Sequence, residues 1–286
     1  MCGIIISKMN YFERAKYFRT KKRLGQNFLV DGEIIQDIIE FAHIKPDDTV
    51  VEIGPGVGFV TEQLVKYAKK VIAIELDEEA IKELKKLEAP NLEIIHNDVL
   101  KTDLSTLTDG KFKVVANIPY YITSPIIAHL LGEVDDLNNK NRNKISDIIL
   151  MVQEEVARRM VADENSSGKQ YGLLTILSQF WADVEILRLV GRKSFYPAPK
   201  VNSAIVKLDV KTSPKLQLSD YSFFRKVVKA AFAQRRKNIK NCLLSASFPK
   251  EKIIMSLANL GIDENIRGEK LSIEKFGMLS EELLKL

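Results

Sequence analysis

The sequence has little cysteine, little histidine and no long apolar run. Two cysteines occur in 286 residues, Cys2 and Cys242, and neither stands in a C-x-x-C pair. The three histidines, His43, His96 and His129, lie far apart. A disulfide framework is excluded and a structural zinc site disfavoured, so no metal is expected. Thiol-poor chains of this kind are expected in the reducing cytoplasm. No apolar run approaches the ~20 residues of a membrane span, so no membrane partner is expected either. The leading MCGIIISKMN holds three consecutive isoleucines and no small-residue cleavage site, too little for a signal peptide. Met9 is an alternative start. A transit peptide is the weaker reading of the basic N-terminus, because a basic arm has a different explanation.

What is present is ordinary in bulk and segregated in charge. Apolar residues make up 45% and charged residues 28%, with a net charge of +5. The length suggests about two domains. Residues 14–23 carry six positive charges and no acid, and residues 221–242 carry seven and no acid. Taking these thirteen from +5 leaves −8 on the rest of the chain. Two basic clusters on an otherwise acidic chain suit a polyanion such as nucleic acid.

Short β-rich runs at Thr49–Ile53, Val71–Leu76, Leu92–Ile95, Phe112–Ala116 and Ile148–Val152 alternate with helical patterns at Phe59–Ala68, Glu78–Leu87 and Ser124–Leu131. This alternation predicts a mostly parallel sheet covered on both faces. Val184–Val190 and Ser203–Val210 have no room for a crossover helix, so they are expected as a hairpin at the sheet's edge. Lys211–Lys215 reads as a linker to an all-helical remainder. Its first helix, capped by Ser219 or Asp220, is expected to set Phe224, Val228 and Ala231 on one stripe and Arg225, Lys229, Arg236 and Lys240 on the next.

The first strand runs into Gly54-Pro55-Gly56-Val57-Gly58 and then a helix. Glycines at such a turn let backbone approach a ligand. Phe59 stands where the dinucleotide fingerprint places its third glycine, so the turn is not that of a dehydrogenase. Glu75 ends the second strand, 21 residues after Gly54, placed to accept from two ribose hydroxyls. Asp98 ends the third, placed to meet an adenine edge. The ligand is expected to contain an adenosine.

The fourth strand runs into Asn117-Ile118-Pro119-Tyr120-Tyr121. An exocyclic adenine amine is a poor nucleophile, its lone pair delocalised into the ring. Two acceptors, the Asn117 side-chain oxygen and the Ile118 carbonyl, would favour a more tetrahedral nitrogen, with Tyr120 stacked on the base. Against a cationic electrophile, positioning and electrostatics suffice without a metal or strong base. Phe195, in a Pro-bearing loop, could close on the other face of an extruded base.

Together these residues resemble the ribosomal RNA adenine dimethyltransferases of the KsgA type. The resemblance spans about residues 19–245. It rests on eight ordered motifs: Lys21–Asp31, Glu52–Gly58, Ile72–Asp77, Asn97–Asp103, Asn117–Tyr121, Met151–Met160, Phe195–Leu208 and Ala231–Asn241. It implies a Rossmann-like class I methyltransferase domain over 19–212 with a seven-stranded sheet, a helical RNA-binding domain over 213–286, and an extension over 1–18. It implies S-adenosylmethionine as donor, S-adenosylhomocysteine as product and no metal. Gln26, Asn27 and Leu29 would stand at the mouth of the donor pocket and Gly54 and Gly56 against the methionine end. Glu75 would hold the ribose and Asp98 the adenine. Asn117 would orient the amine, with Tyr120 and Phe195 sandwiching the target base. The implied substrate is two adjacent adenines in a hairpin near the 3′ end of small-subunit ribosomal RNA, within an immature subunit. A monomer fits this reading. The phosphate contacts fall to Lys21, Lys22, Arg23, Arg225, Lys229, Arg235, Arg236, Lys237 and Lys240, which give affinity without reading sequence.

Two other readings share these motifs. A large-subunit adenine methyltransferase of the macrolide-resistance type has the same pocket, but Tyr171–Gln179 and Ala231–Asn238 resemble the small-subunit enzymes. A non-catalytic assembly or transcription factor on the same fold is disfavoured by the intact Asn117 motif.

Overall fold

The structure is a computed structural model that describes residues 10–18, 20–21, 25–119, 122–167 and 170–285. In chain order the main elements begin with α1 (Tyr11–Lys16), β1 (Phe28–Leu29), α2 (Gly32–Phe41), β2 (Thr49–Ile53), α3 (Thr61–Tyr67), β3 (Lys70–Glu75), α4 (Glu78–Lys85) and β4 (Leu92–His96). There follow β5 (Phe112–Asn117), α5 (Thr123–Leu131), α6 (Lys140–Lys144), β6 (Ile145–Gln153), α7 (Glu154–Met160), α8 (Leu173–Trp181), β7 (Ala182–Val190), β8 (Phe195–Tyr196) and β9 (Ser203–Val210). The remainder is helical: α9 (Tyr221–Ala233), α10 (Ile239–Ser245), α11 (Lys250–Asn259) and α12 (Ile273–Lys285).

The main sheet has seven strands in the order β4-β3-β2-β5-β6-β9-β7. The first five are parallel, and β9 enters antiparallel between β6 and β7. The expected hairpin is therefore present, with β7 as the edge. All seven expected strands form, and β6 starts three residues ahead of its expected Ile148.

The strand period of two distributes the core. Val50, Val71, Val115 and Ile149 face one layer with α2 and α3, whereas Val51, Ile72, Val114 and Ile148 face the other with α5 and α8. Both layers are apolar, which is why the parallel strands read as continuous hydrophobic runs.

The N-terminal residues expected as an extension are in part built into the fold. Asn10 caps α1 by accepting from the Glu13 N–H at 2.9 Å. Ala15 is buried in the α2 layer, and Arg14 pairs with Glu62 at 2.7 Å.

The C-terminal helices share a core with the sheet. Asp220 caps α9, and the Phe224 ring stacks on Phe180 with centroids 5.5 Å apart. Phe224, Val228 and Ala231 are buried as expected. The expected basic stripe is not continuous. Helix α9 ends at Ala233, so Arg236 lies in the following turn and Lys240 in α10.

A buried cation organises the junction between sheet and helices. The Arg142 guanidinium is fully buried and donates to the carbonyls of Leu131 (2.5 Å), Asp136 (2.8 Å) and Leu137 (2.8 Å). It lies 3.4 Å from the ring centre of Trp181, whose indole N–H donates to the Glu133 carbonyl. Burial lowers its pKa to about 10. The turn held in this way presents Glu133 and Asp135 to Arg225 on α9, at 3.1 and 3.4 Å.

Arg142→Met should leave these carbonyls without donors, at about 1–3 kcal/mol for each buried group left unpaired. We expect a net loss of about 3 kcal/mol in denaturant unfolding. A loss under about 1 kcal/mol would show that the turn does not need the guanidinium.

Candidate active site

The register of three strands assembles the site. Ile53 pairs with Ile74 on one side and with Ala116 on the other, so Gly54, Glu75 and Asn117 follow at one level. Glu75 in turn pairs with His96, and Asp98 stands two residues further on. The chain turns in opposite directions on either side of β2, and the carboxyl ends of strands at such a switch point leave an open crevice.

That crevice is a cleft of about 1080 Å³, its open mouth included. Its walls bring together Gln26, Asn27, Leu29, Gly54, Gly56, Glu75, Asp98 and Asn117, every expected donor-site residue. Gly54 and Gly56 have φ of +67° and +58°, which disfavour a side chain. A Cβ on Gly56 would also stand 2.8 Å from the Phe28 ring. Glycine here lets Phe28 of β1 close against the turn.

Glu75 is the hub of the rim. Its Oε2 accepts from the Gly56 N–H at 2.9 Å, and its Oε1 accepts from the N–H groups of Leu76 and Asp77, both at 2.8 Å. Burial pushes its pKa up, against the pull of those three donors. One oxygen of Asp98 accepts from the Leu100 N–H at 3.0 Å. The Asn117 amide donates to the Asn27 carbonyl at 3.4 Å. Ile118 and Pro119 continue the wall.

Several expected residues have different partners from those the sequence suggested. Gln26 lines the cleft, but its amide donates to Asp77 at 2.7 Å and its oxygen accepts from the Lys21 N–H at 2.7 Å. The Lys21 ammonium is paired with Asp77, so it is not a free surface charge. Arg225 is held by Glu133 and Asp135, and Lys240 by Glu264 at 2.8 Å. Lys229, Arg235, Arg236 and Lys237 are exposed.

Phe195 is the clearest departure. It is only 2% exposed and does not line the cleft. It pairs with Leu29 in the two-stranded β1–β8 sheet, which turns its ring into the α2 layer. Tyr196 beside it is half-buried and meets Phe12 edge-on at 5.4 Å. Tyr120, Lys22 and Arg23 lie outside the described residues.

Two acids of the site had no assigned role in the sequence. Glu52 is buried behind the glycine turn, and its Oε2 has no hydrogen-bond partner among the described residues. Burial, helped by nearby Glu75 and opposed by Thr61, pushes its pKa up to about 8. Asp77 caps α4 and accepts from Lys21 and Gln26. The Asp-Glu-Glu start of a helical pattern signals the cap, but not the partners from the N-terminal segment. Burial would raise the Asp77 pKa, yet Lys21, Gln26 and the Glu79 N–H outweigh it and hold it below the usual range. Among the described residues no cluster of His, Cys, Asp or Glu could hold a metal ion.

Known proteins resemble this chain in sequence and fold. The sequence matches the ribosomal RNA adenine dimethylase family over residues 17–285. It is 44% identical over 270 residues to the ribosomal RNA small subunit methyltransferase A of Clostridium botulinum (strain ATCC 19397 / Type A), covering 92% of this chain and 94% of that one. The protein of the same name from Moorella thermoacetica is 43% identical over 282 residues, with 94% of each chain covered. Among solved structures, a dimethyladenosine transferase from Plasmodium falciparum superposes with a TM-score of 0.70 at 32% identity, over 87% of this chain and 94% of that one. The 23S rRNA methyltransferase ErmE gives 0.69 at 29% identity, over 90% and 99%. Motif order, site geometry and a match over nearly the whole chain lead to one conclusion: the chain belongs to the ribosomal RNA adenine dimethylase family.

Proposed function

We propose that this protein transfers methyl groups from S-adenosylmethionine to the amines of two adjacent adenines near the 3′ end of small-subunit ribosomal RNA. The observation that carries the reading is the single rim holding Gly54, Glu75, Asp98 and Asn117 around one cleft. The chain's fit to the donor rests on its own polar groups. Glu75 is a buried carboxylate on the wall, and Asp98 retains acceptor capacity beyond its bond to Leu100. Buried Glu52 has an oxygen without a partner.

In this reading Glu75 accepts from the ribose hydroxyls and Asp98 from the adenine amine, with Gly54 and Gly56 beside the methionine end. Gln26, Asn27 and Leu29 close the mouth. When bound, the donor supplies an electrophilic methyl group on a sulfonium. Asn117, through its oxygen, and the Ile118 carbonyl orient the target amine, and Tyr120 stacks on the base. Positioning and desolvation carry the rate, as the electrophile is already cationic. A second stacking face from Phe195 requires β8 to part from β1, since the closed arrangement buries the ring.

The large-subunit reading is the alternative. The two solved relatives superpose almost equally well, so the fold does not separate them. Sequence identity of 43–44% to small-subunit methyltransferases favours the small subunit. In keeping with this function, the protein is proposed to work as a monomer in the cytoplasm on an immature small subunit. Among the described residues no helix is long and apolar enough to cross a membrane. The helices from residue 213 onward are proposed to grip the RNA backbone through Lys229, Arg235, Arg236 and Lys237.

Three outcomes test this reading. Asn117→Ala should keep donor affinity within about threefold while lowering methyl transfer by roughly 100-fold or more, on the scale of removing one transition-state hydrogen bond. Full transfer by this variant to unmethylated small subunits would end the proposed mechanism. Glu75→Ala should weaken donor binding by roughly 10–100-fold in calorimetry, since charge-assisted hydrogen bonds are worth about 1.5–3 kcal/mol; unchanged affinity would remove Glu75 from the ribose site. Replacing Lys229, Arg236 and Lys237 with alanine should lower RNA affinity. The slope of log affinity against log salt should flatten by about 0.7–0.9 for each phosphate no longer neutralised. An unaltered salt slope would place the RNA elsewhere.

A further inference from the structure

One wall of the cleft is a strap that runs into and includes β1. Residues Gly25 to Leu29 line the cleft, while the rest of its lining comes from the strand ends, the loops that follow them and the start of α5. Besides the bond from Asn117 to the Asn27 carbonyl, the strap is fastened at two places. One is apolar: Phe28 lies against Gly56, and β1 pairs with β8. The other is ionic, at Asp77, whose side chain is fully enclosed.

Three donors converge on that carboxylate. Its Oδ1 accepts from the Lys21 ammonium and, at 3.0 Å, from the Glu79 N–H. Its Oδ2 accepts from the Gln26 amide at 2.7 Å. The Gln26 oxygen then accepts from the Lys21 backbone N–H at 2.7 Å, which closes a ring of contacts among Lys21, Gln26 and the acid. The Asp77 backbone N–H donates to Glu75 Oε1. The same short peptide thus holds the strap on one side and the rim carboxylate on the other.

We propose that Asp77 is a positioning residue whose clasp on Lys21 and Gln26 keeps the strap shut over the donor, and so sets how fast donor and demethylated product leave. The inference rests on the donor chemistry proposed above. Capping α4 does not account for the arrangement. A cap needs one oxygen aimed at the Glu79 N–H, and asparagine serves there about as well as aspartate. The second oxygen and the negative charge are used on residues more than 50 positions earlier in the chain. An enclosed carboxylate is costly without charged or hydrogen-bonding partners, and Lys21 and Gln26 are the side chains that supply them. Opening the strap would remove both, so a closed strap and an ionised Asp77 favour each other.

Asp77→Asn separates the two roles. It keeps the cap but removes the charge facing Lys21, and it sets an amide N–H₂ or a lone oxygen where two acceptors stood. The full-length protein should be measured by stopped-flow displacement and calorimetry with S-adenosylmethionine and S-adenosylhomocysteine. Dissociation of both should become about tenfold faster in Asp77→Asn, and the donor KM should rise with no fall in kcat. The melting temperature of the donor-free protein should change by no more than about 2 °C. Lys21→Met should act in the same direction, Lys21→Arg should restore slow release, and Asp77→Asn with Lys21→Met should be no worse than Asp77→Asn alone. Unchanged release rates in Asp77→Asn would overturn the proposal. So would additive effects of the two substitutions, or a drop in melting temperature that parallels the drop in affinity. A wild-type protein that binds neither compound would overturn the donor reading itself, a failure visible before any variant is made.

Discussion

Parallel pairing of β2 with its two neighbours is the constraint on which the site depends. The pairs Ile53–Ile74 and Ile53–Ala116 fix the heights at which three strands end. A one-residue slip in either pair would reverse which face each side chain occupies. Val50 and Val51 are both buried but belong to opposite layers, so such a slip would also put the polar Glu52 in the wrong layer. Core packing therefore specifies the register, and the register brings Glu75 and Asn117 to the glycine turn. The meeting of Glu75, Asn117 and the glycine turn is a by-product of burying valine and isoleucine on two faces.

The second organising feature is the way the strap joins regions far apart in sequence. The Phe28 ring sits where a side chain on Gly56 would stand, the Asn27 carbonyl accepts from Asn117, and Leu29 pairs with Phe195. The Val30 N–H donates to the Ser194 carbonyl at 2.8 Å, and the Ser194 hydroxyl donates to Asp31 at 2.9 Å. The glycine turn, Asn117 and the loop that carries Phe195 thus all touch one short segment. A movement of the strap cannot alter the donor cleft without also altering the surroundings of Asn117 and Phe195. The burial of Phe195 follows from its pairing with Leu29 in that segment.

The strands were legible because each is a short apolar run bounded by turn residues, and the lining of the cleft because strand ends carry it. The glycine turn, Glu75, Asp98 and Asn117 are local features of local elements. What was not legible depends on pairings across distance. Arg225 and Lys240 read as part of a basic stripe, yet Glu133, Asp135 and Glu264 neutralise them from other parts of the chain. The stripe itself assumed a helix running past Ala233, where Gln234 instead leaves helical geometry. Lys21 read as a phosphate contact because nothing near it in sequence is acidic, and its partner is 56 positions later. Phe195 shows the same limit: a Phe next to a Pro-rich loop reads alike whether the ring is exposed or covered by a strand from the other end of the chain.

The ion pairs of Arg225 change what the basic segment can do. An arginine held by two carboxylates adds little net positive potential, so in the proposed reading attraction to a polyanion falls chiefly to Lys229, Arg236 and Lys237, which lie on α9 and just past its end. Arg225 serves a different end. It fixes α9 to a turn whose carbonyls are held by Arg142 and Trp181, and the Phe224 ring beside it is stacked on Phe180. The exposed cations are thereby carried on a helix anchored to the sheet by both a salt bridge and an aromatic stack. On the proposed reading, in which one base is brought to Asn117 while a phosphate backbone is gripped elsewhere, such anchoring is what turns non-specific phosphate affinity into a fixed register between grip and active site.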